Sequence, residues 1–439
     1  MAEKTIESGI PWLRPPAKRY VFRNANLVDP VQGIIRKNVT VTMSNGTFES
    51  VTSPSDPDPN PTPTASTASF TETIDLDLTN RYILPGLIDS HVHLQYVPGT
   101  PTLSQMKRLP LEIRSYRTPH LCAAMLARGF TTVRDCGGSS VALKHAIAAG
   151  IVRGPRLFIA GHQLSQTGGH GDLRDEYEGS GQEGTLCCAG HVFGPGRICD
   201  GVDDCMRVAR DELRQGADFL KILGSGGISS KTDALEMVQF SGEEIRAIVG
   251  VARQSGTYVT SHAYTPEAIR NAVLNGVKGI EHGNFLDAET AKLMAREGVA
   301  FLPEESRRKN EAVVKAGKES VRIADREGVV MCYGSDLLAS MMQFQTREFV
   351  LRAEVLGAGK ILQAATVNGA KMLGMEGRLG QIETGFVADM LVLNANPLED
   401  IKVLDSPEQH LLAVIKEGRV EVSRWTKLPE ERQQSLSIE

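Results

Sequence analysis

The sequence predicts an α/β protein: a (β/α)8 barrel of the TIM type over residues 85–375, with a small β-sandwich domain built from both chain ends, 1–84 and 376–439. Two patterns predict it. From residue 82 onward, eight short apolar runs ending in polar or glycine-rich turns alternate with amphipathic helical segments. That alternation implies right-handed βαβ units sharing a parallel sheet, and eight in succession favour a barrel over an open sheet. On either side, runs rich in Val, Thr and Phe show the partial alternation of antiparallel strands. A chain of 439 residues has room for one large barrel and an accessory domain.

In chain order, 19–29 (RYVFRNANLVD) and 38–52 (NVTVTMSNGTFESVT) read as antiparallel strands of the first flank. Residues 53–69, rich in Pro, Ser, Thr and Asp, read as a surface loop because strand-like sequence resumes at 73–78. The barrel runs are 83–93, 130–135, 156–161, 218–224, 258–264, 278–283, 299–303 and 329–336. Helices are expected between them at 119–128, 140–149, 202–215, 241–254, 266–275, 287–297 and 311–327. Asp200 or Asp203 would cap the third helix and Asp287 the sixth, while Ser241 and Glu244 have the spacing of a capping box. Residues 361–374 read as a helix closed by Gly374, and 389–394 and 411–422 as strands of the second flank, the latter turning at Glu417-Gly418. The seventh run, VAFLP, is the poorest strand and leads at once into the charge cluster 304–309.

Composition narrows the function. A net charge of -5 argues against a nucleic-acid-binding surface, which is normally basic. No stretch reaches the roughly 18 uninterrupted apolar residues of a membrane helix, and the first residues lack the apolar core of a secretory signal. Seven cysteines at irregular spacing give no disulfide framework. The expectation is a cytoplasmic protein with reduced thiols and with neither nucleic acid nor membrane as partner.

The residues that carry chemistry stand at the ends of the barrel runs. His91 and His93 close the first; side chains two apart on a strand point the same way, so both imidazoles can face the barrel mouth. A bare His-x-His is weak, and two ordinary polar residues would explain it. Yet His262 closes the fifth run, His282 the sixth and Asp336 the eighth. Strand ends converge on one rim of such a barrel, and imidazoles with a carboxylate suit Zn²⁺ and similar ions. A satisfied core histidine or an N-capping Asp accounts for any one of the five, but not for all of them together.

Lys221 lies inside the apolar fourth run, where a buried ammonium is costly. A nearby dication would favour its neutral, nucleophilic form; alternatively the chain snorkels to the rim or pairs with a carboxylate. Tyr264, two residues past His262, and His170 in TGGHGD either meet substrate or are satisfied within their loops. Arg134 and Arg174 are weaker partners for a substrate carboxylate. GSGGISSKT (224–232) has Ser230 where a phosphate loop needs Gly, and reads as a barrel loop. Cys187, Cys188, His191, Cys199 and Cys205 contain no C-x2-C pair and read as free thiols rather than a zinc site.

With Lys221, His262, His282 and the Gly-Ser-Asp336 strand end, the segment PGLIDSHVHL resembles the amidohydrolase superfamily in its binuclear-metal form. TTVRDCGG, LSQTGGHGD, GADFLKILGSGGISS, YVTSHAYT, IEHGNF, YGSDLL and ATVNGAKMLG are similar to the branch that holds ochratoxinase and metal-dependent Xaa-Pro and Xaa-Arg/Lys carboxydipeptidases. The resemblance spans about residues 19–422. It implies a hydrolase that cleaves the amide or peptide bond to a C-terminal amino acid in a small amide or dipeptide-like substrate, and commonly a homo-oligomer. It also implies two divalent metal ions, expected to be Zn²⁺. His91, His93 and Asp336 would hold the more buried ion and His262 and His282 the more exposed one. Lys221, carboxylated by CO2, would bridge both as a carbamate. A bridging hydroxide would attack, and Asp336 would carry its proton to the leaving amine.

Two other readings stand beside this one. The first is a mononuclear deaminase or cyclic amidase of the same superfamily, imidazolonepropionase-like, in which Lys221 has no bridging role. The second is a non-catalytic barrel protein, kept open by the short seventh unit. The same shortening departs from the branch at the loop that would cover the pocket, and so bears most on the substrate.

Overall fold

The computed structural model describes residues 12–54, 72–100, 105, 109–172, 174, 196–227, 233–303 and 311–431. Most of the loop expected at 53–69, the cluster 304–309, Ser230, Cys187, Cys188 and His191 lie outside the described residues.

The first flank supplies β1 (Arg19–Asp29), β2 (Ile34–Ser44), β3 (Thr47–Thr52) and β4 (Thr73–Asp77). β1–β2 and β2–β3 are antiparallel. The β2–β3 turn is Asn45-Gly46, both at positive φ (49° and 79°), the backbone a two-residue hairpin requires. β4 runs parallel to β1.

The run 83–93 is two strands, β5 (Tyr82–Pro85) and β6 (Leu87–Val92), which lie in different sheets. Gly86 separates them at a close crossing, where a Cβ would fall 2.1 Å from Thr131 Oγ1. There follow α1 (Leu111–Ala127), β7 (Phe130–Asp135), α2 (Val141–Ala148), β8 (Arg156–Ile159), β9 (Gln163–Ser165) and β10 (Gly196–Ile198). Next come α3 (Val202–Arg214), β11 (Leu220–Leu223), α4 (Gly242–Gln254), β12 (Val259–Ala263), α5 (Pro266–Leu274), β13 (Gly279–His282), α6 (Ala288–Glu297), β14 (Ala300–Leu302) and α7 (Glu311–Arg326). The α1 helix starts well before the expected residue 119 and runs through Pro119, held by the buried Leu121, Cys122, Met125 and Leu126. Ser241 and Glu244 form the capping box of α4, and Asp287 caps α6. The cap of α3 is neither Asp200 nor Asp203 but Gly201 at φ 75°, without a side-chain bond. Asp200 is taken instead by Thr167, accepting from its N at 3.0 Å and its Oγ1 at 2.6 Å.

The parallel strands form two sheets, β6-β7-β8 and β10-β9-β11-β12-β13-β14. β9 and β10, three residues each, were not expected. Scattered hydrogen bonds and one isolated bridge, Phe301 with Met331, span the junctions between the sheets. Asp218 N donates to Ile159 O at 2.7 Å on one side. On the other, residues 329–336 are not a strand but a bridging segment. Phe301 N donates to Val330 O (2.8 Å) and Cys332 N to Phe301 O (2.8 Å), while Ser90 N reaches Tyr333 O (2.7 Å) and Asp336 N reaches His91 O (2.9 Å). A ladder fails here because Tyr333 N is spent on Ala364 O (2.9 Å).

The chain continues through α8 (Arg347–Arg352), α9 (Ala358–Ala364) and α10 (Val367–Met372). The last two replace the single helix expected at 361–374, which breaks at Thr366 (φ -138°), where the hydroxyl bonds back to Leu362 O at 2.6 Å. Buried Arg352 ties the end of β14 to the bridging segment: Nη2 donates to Pro303 O (2.8 Å), Nη1 to Cys332 O (2.9 Å) and Nε to Glu348 (2.7 Å). Then come β15 (Met390–Leu393), α11 (Pro407–His410), β16 (Leu411–Lys416) and β17 (Arg419–Ser423). Both chain flanks meet in one sheet, β17-β16-β15-β5-β1-β2-β3 with β4 on β1. It has its own core of Phe22, Met43, Phe48, Ile83, Met390, Val392 and Ile415. The larger core, including Leu126, Phe130, Ile222, Ile248 and Phe349, fills the space between the parallel strands and the helices. Among the described residues, no helix is long and apolar enough to cross a membrane.

Candidate metal centre

The C-terminal ends of the parallel strands bring the expected side chains together. His91 is the penultimate residue of β6 and His93 follows the strand's end; Lys221 lies in β11, His262 in β12 and His282 at the end of β13. Register keeps them level, since Leu223 pairs with His262 and Ala263 with His282. Asp336 N hangs on His91 O (2.9 Å) and so sets its side chain beside β6. His91 Nε2 is 3.3 Å from His93 Nε2 and 3.4 Å from Asp336 Oδ1, and His93 Nε2 is 3.2 Å from the same oxygen. The rings of His262 and His282 have centroids 4.3 Å apart, and His282 lies 5.4 Å from His91. His282 (φ 71°) and Asp336 (φ 40°) both occupy the left-handed region, which costs a non-glycine residue roughly 1–3 kcal/mol and concentrates at functional sites.

Burial pushes His262 and His282 well below the ordinary histidine range; the neighbouring His282 and His170 add to it at His262, while Asp336 works against it at His282. Burial likewise lowers His91. A lowered pKa favours the neutral imidazole, the form that ligates a metal. Burial would raise Asp336, yet His91 and His93 outweigh it and hold the carboxyl well below the usual range. In turn Asp336 overcomes the burial of His93 and raises it. His93 Nδ1 faces Gly137 O at 3.0 Å, which fixes the ring.

The residues fit a metal. His91, His93 and Asp336 offer two nitrogens and one oxygen within 4.8 Å of one another, a donor set suited to Zn²⁺. Lys221, 1% exposed, has no hydrogen bond to its Nζ among the described residues; Glu281 Oε1, at 3.8 Å, is its ion-pair partner. A buried amine without a hydrogen bond is expensive unless a further group completes it.

Tyr264, buried, stacks on His282 at 5.0 Å, and His170 stacks on His262 at 4.6 Å with its Nδ1 3.4 Å from Asp233. Both therefore stand at the site. Arg134 does not face a substrate: it is fully buried, bonded to Glu281 (3.0 Å) and Ser90 O (2.7 Å) and stacked over Phe219 at 4.2 Å. Arg174 pairs with Asp172 at 2.5 Å, close to it in sequence.

Sequence reasoning passed over three acids. Glu281, wholly buried in β13, lies 2.9 Å from His91 Nδ1. Asp89 accepts from Ser335 Oγ (2.6 Å), Gln345 Nε2 (2.8 Å) and His91 N (3.1 Å); burial pushes it up to about 6 against those donors. Asp135 accepts from Leu94 N (2.8 Å) and Ser139 Oγ (2.7 Å), bracing the turn that carries His93. The signal that marked Lys221, a charge within an apolar run, was available for each.

The sequence profile of the amidohydrolase family matches residues 82–420. The chain belongs to the amidohydrolase family. Within it, the chain is similar to ochratoxinase of Aspergillus niger, with 29% identity over 356 residues, 74% of this chain and 73% of that protein. A crystal structure of an amidohydrolase superposes with TM-score 0.84 at 38% identity, covering 93% of this chain and 100% of the other. A prolidase complexed with N-methylphosphonate-L-proline superposes with TM-score 0.83 at 36% identity and the same coverage. These relatives place the chain in the ochratoxinase- and prolidase-like branch and make it a hydrolase of C–N bonds.

Proposed function

We propose that this amidohydrolase hydrolyses the amide or peptide bond to a C-terminal amino acid, as a carboxypeptidase, dipeptidase or ochratoxinase-like enzyme. The observation that carries it is the convergence of His91, His93 and Asp336 within 3.4 Å, with the amine of Lys221 buried among the same strand ends and lacking a hydrogen bond among the described residues. The reading includes a closed (β/α)8 barrel over residues 85–375, a β domain from 1–84 and 376–439, and a homo-oligomer.

Two divalent ions, Zn²⁺ by donor type, would supply Lewis-acid polarisation of the scissile carbonyl and acidify water. His91, His93 and Asp336 would hold one, His262 and His282 the other, and Lys221 as a carbamate would join them. The chain's own residues do the rest. Asp336, the most exposed of the set at 21%, is placed at the mouth to take a proton on a carboxylate oxygen and return it to the departing amine. Tyr264 and His170, stacked on the two outer histidines, are placed to bind and orient the substrate's free carboxylate.

A hydrolysis screen of the zinc-loaded protein against N-acyl amino acids and Xaa-Pro, Xaa-Arg and Xaa-Phe compounds tests the reading. Turnover with two zinc ions per chain by elemental analysis is the expected result. One ion per chain, with deamination or ring opening instead, would favour the imidazolonepropionase-like alternative. Two ions and no turnover on any compound would sink the peptidase reading in favour of a non-catalytic barrel.

A further inference from the structure

We propose that Glu281 is the positioning residue of this centre: one carboxylate oxygen sets the ring of His91, and the other sets the amine of Lys221. The inference rests on the metal reading above. Glu281 stands one residue before His282 in β13 and is fully buried. Its Oε2 lies 2.9 Å from His91 Nδ1 and has no hydrogen bond elsewhere among the described residues. The approach is off the ring N–H axis. Its Oε1 accepts from Thr260 Oγ1 (2.6 Å) and Arg134 Nη1 (3.0 Å) and stands 3.8 Å from Lys221 Nζ.

The two oxygens have different jobs. A carboxylate facing Nδ1 is satisfied only if that nitrogen carries the proton, which leaves the Nε2 lone pair free. Nε2 is the nitrogen turned toward His93 and Asp336. At 3.8 Å, Oε1 is too far from Lys221 to bond it, so the amine is attracted by charge while its nitrogen stays available.

Arg134 keeps Glu281 itself out of the metal set. The ligand atoms of His91, Cys136 and Glu281 also lie within 4.8 Å of one another. But the Arg134 guanidinium is 3.2 Å from Cys136 Sγ and 3.0 Å from Glu281, and a dication there would meet that fixed positive charge. The trio is the wall of the site and not a second ion site.

The test begins with the apoprotein, ¹⁵N-labelled at histidine, and the His91 signal assigned by its loss in His91→Ala. Long-range ¹⁵N–¹H spectra should show His91 protonated on Nδ1. Glu281→Gln should mix its tautomers and weaken zinc affinity about 10–100-fold, the usual cost of losing such a partner. It should also weaken the carbamate signal seen by ¹³C NMR with labelled bicarbonate. Thr260→Val, which touches only Oε1, should keep the tautomer. Because Glu281→Gln leaves Arg134 buried without its counter-charge, the double variant Arg134→Met/Glu281→Gln is measured beside it and should show the same mixed tautomer. An Nε2-protonated His91 in the wild-type apoprotein would overturn the proposal, and so would a folded Glu281 variant that binds zinc like wild type. If the wild type bound no metal at all, the metal reading would fall while the tautomer still tested the positioning.

Discussion

Lys221 is the side chain whose surroundings are hardest to account for without a further group beside it. Among the described residues its buried Nζ has no hydrogen bond, and its ion-pair partner is Glu281 at 3.8 Å. Replacing it by Ala should therefore remove metal and activity together, read by elemental analysis and turnover; full activity in Lys221→Ala would mean that no carbamate is needed. Away from the site, Glu212 gives a pH dependence with a defined sign. Burial alone would raise its pKa, but His162 at 3.1 Å and Arg197 at 2.9 Å lower it from 4.5. A carboxylate depressed in the folded state stabilises above its unfolded value and loses that contribution as pH falls through the folded one. Urea unfolding should thus show Glu212→Gln markedly less stable than wild type at pH 7, with the gap closing below pH 4.5. The six proposed ligands were legible because each interrupts or ends an apolar run. Glu281, Asp89 and Asp135 carry the same signal, but a lone acid in a strand names no partner until the fold supplies one.

At the scale of elements, local chemistry read well where one residue decides the backbone. Ser241 with Glu244, Asp287, Asn45-Gly46 and Glu417-Gly418 each sit where a cap or turn was expected or required. What escaped was decided by contacts distant in sequence. Gly86 splits one apolar run because Thr131 crosses beside it, and the bridging segment 329–336 is no strand because Tyr333 N is spent on Ala364. The poor seventh strand was legible, but Arg352, which ties its end to that segment, was not. Gly86 carries a prediction. With Thr131 Oγ1 at 2.1 Å and its Cβ at 2.9 Å, Gly86→Ala should cost about 1–3 kcal/mol, the range for overpacking a filled site. The Gly86→Ala/Thr131→Ala pair should recover only part of it in thermal unfolding, since the Cβ conflict persists.

At the scale of the whole molecule, the flank sheet and the parallel strands are stapled by charge. Arg156 of β8 donates to Asp389 (2.6 Å) and Glu417 (2.8 Å), and buried Lys416 donates to Gly154 O (3.1 Å). A metal bound only by the folded chain would add to this, by about 4 kcal/mol at a free concentration of 1,000 Kd. Stripping it with a chelator should lower the melting temperature and restoring zinc should raise it; an unchanged melting curve would mean no ion is held. The handover at Gly86 has a further consequence for how the protein is made. β5 lies between β1 and β15, so one of its edges is completed by a strand synthesised after every strand of the parallel sheets. Because β6 continues β5 through that single glycine, the anchor of His91 and His93 is completed only after both parallel sheets are made. A nascent chain halted before residue 390 would carry all the ligands but leave β5 with an open edge, exposed to strand pairing with its neighbours on a polysome.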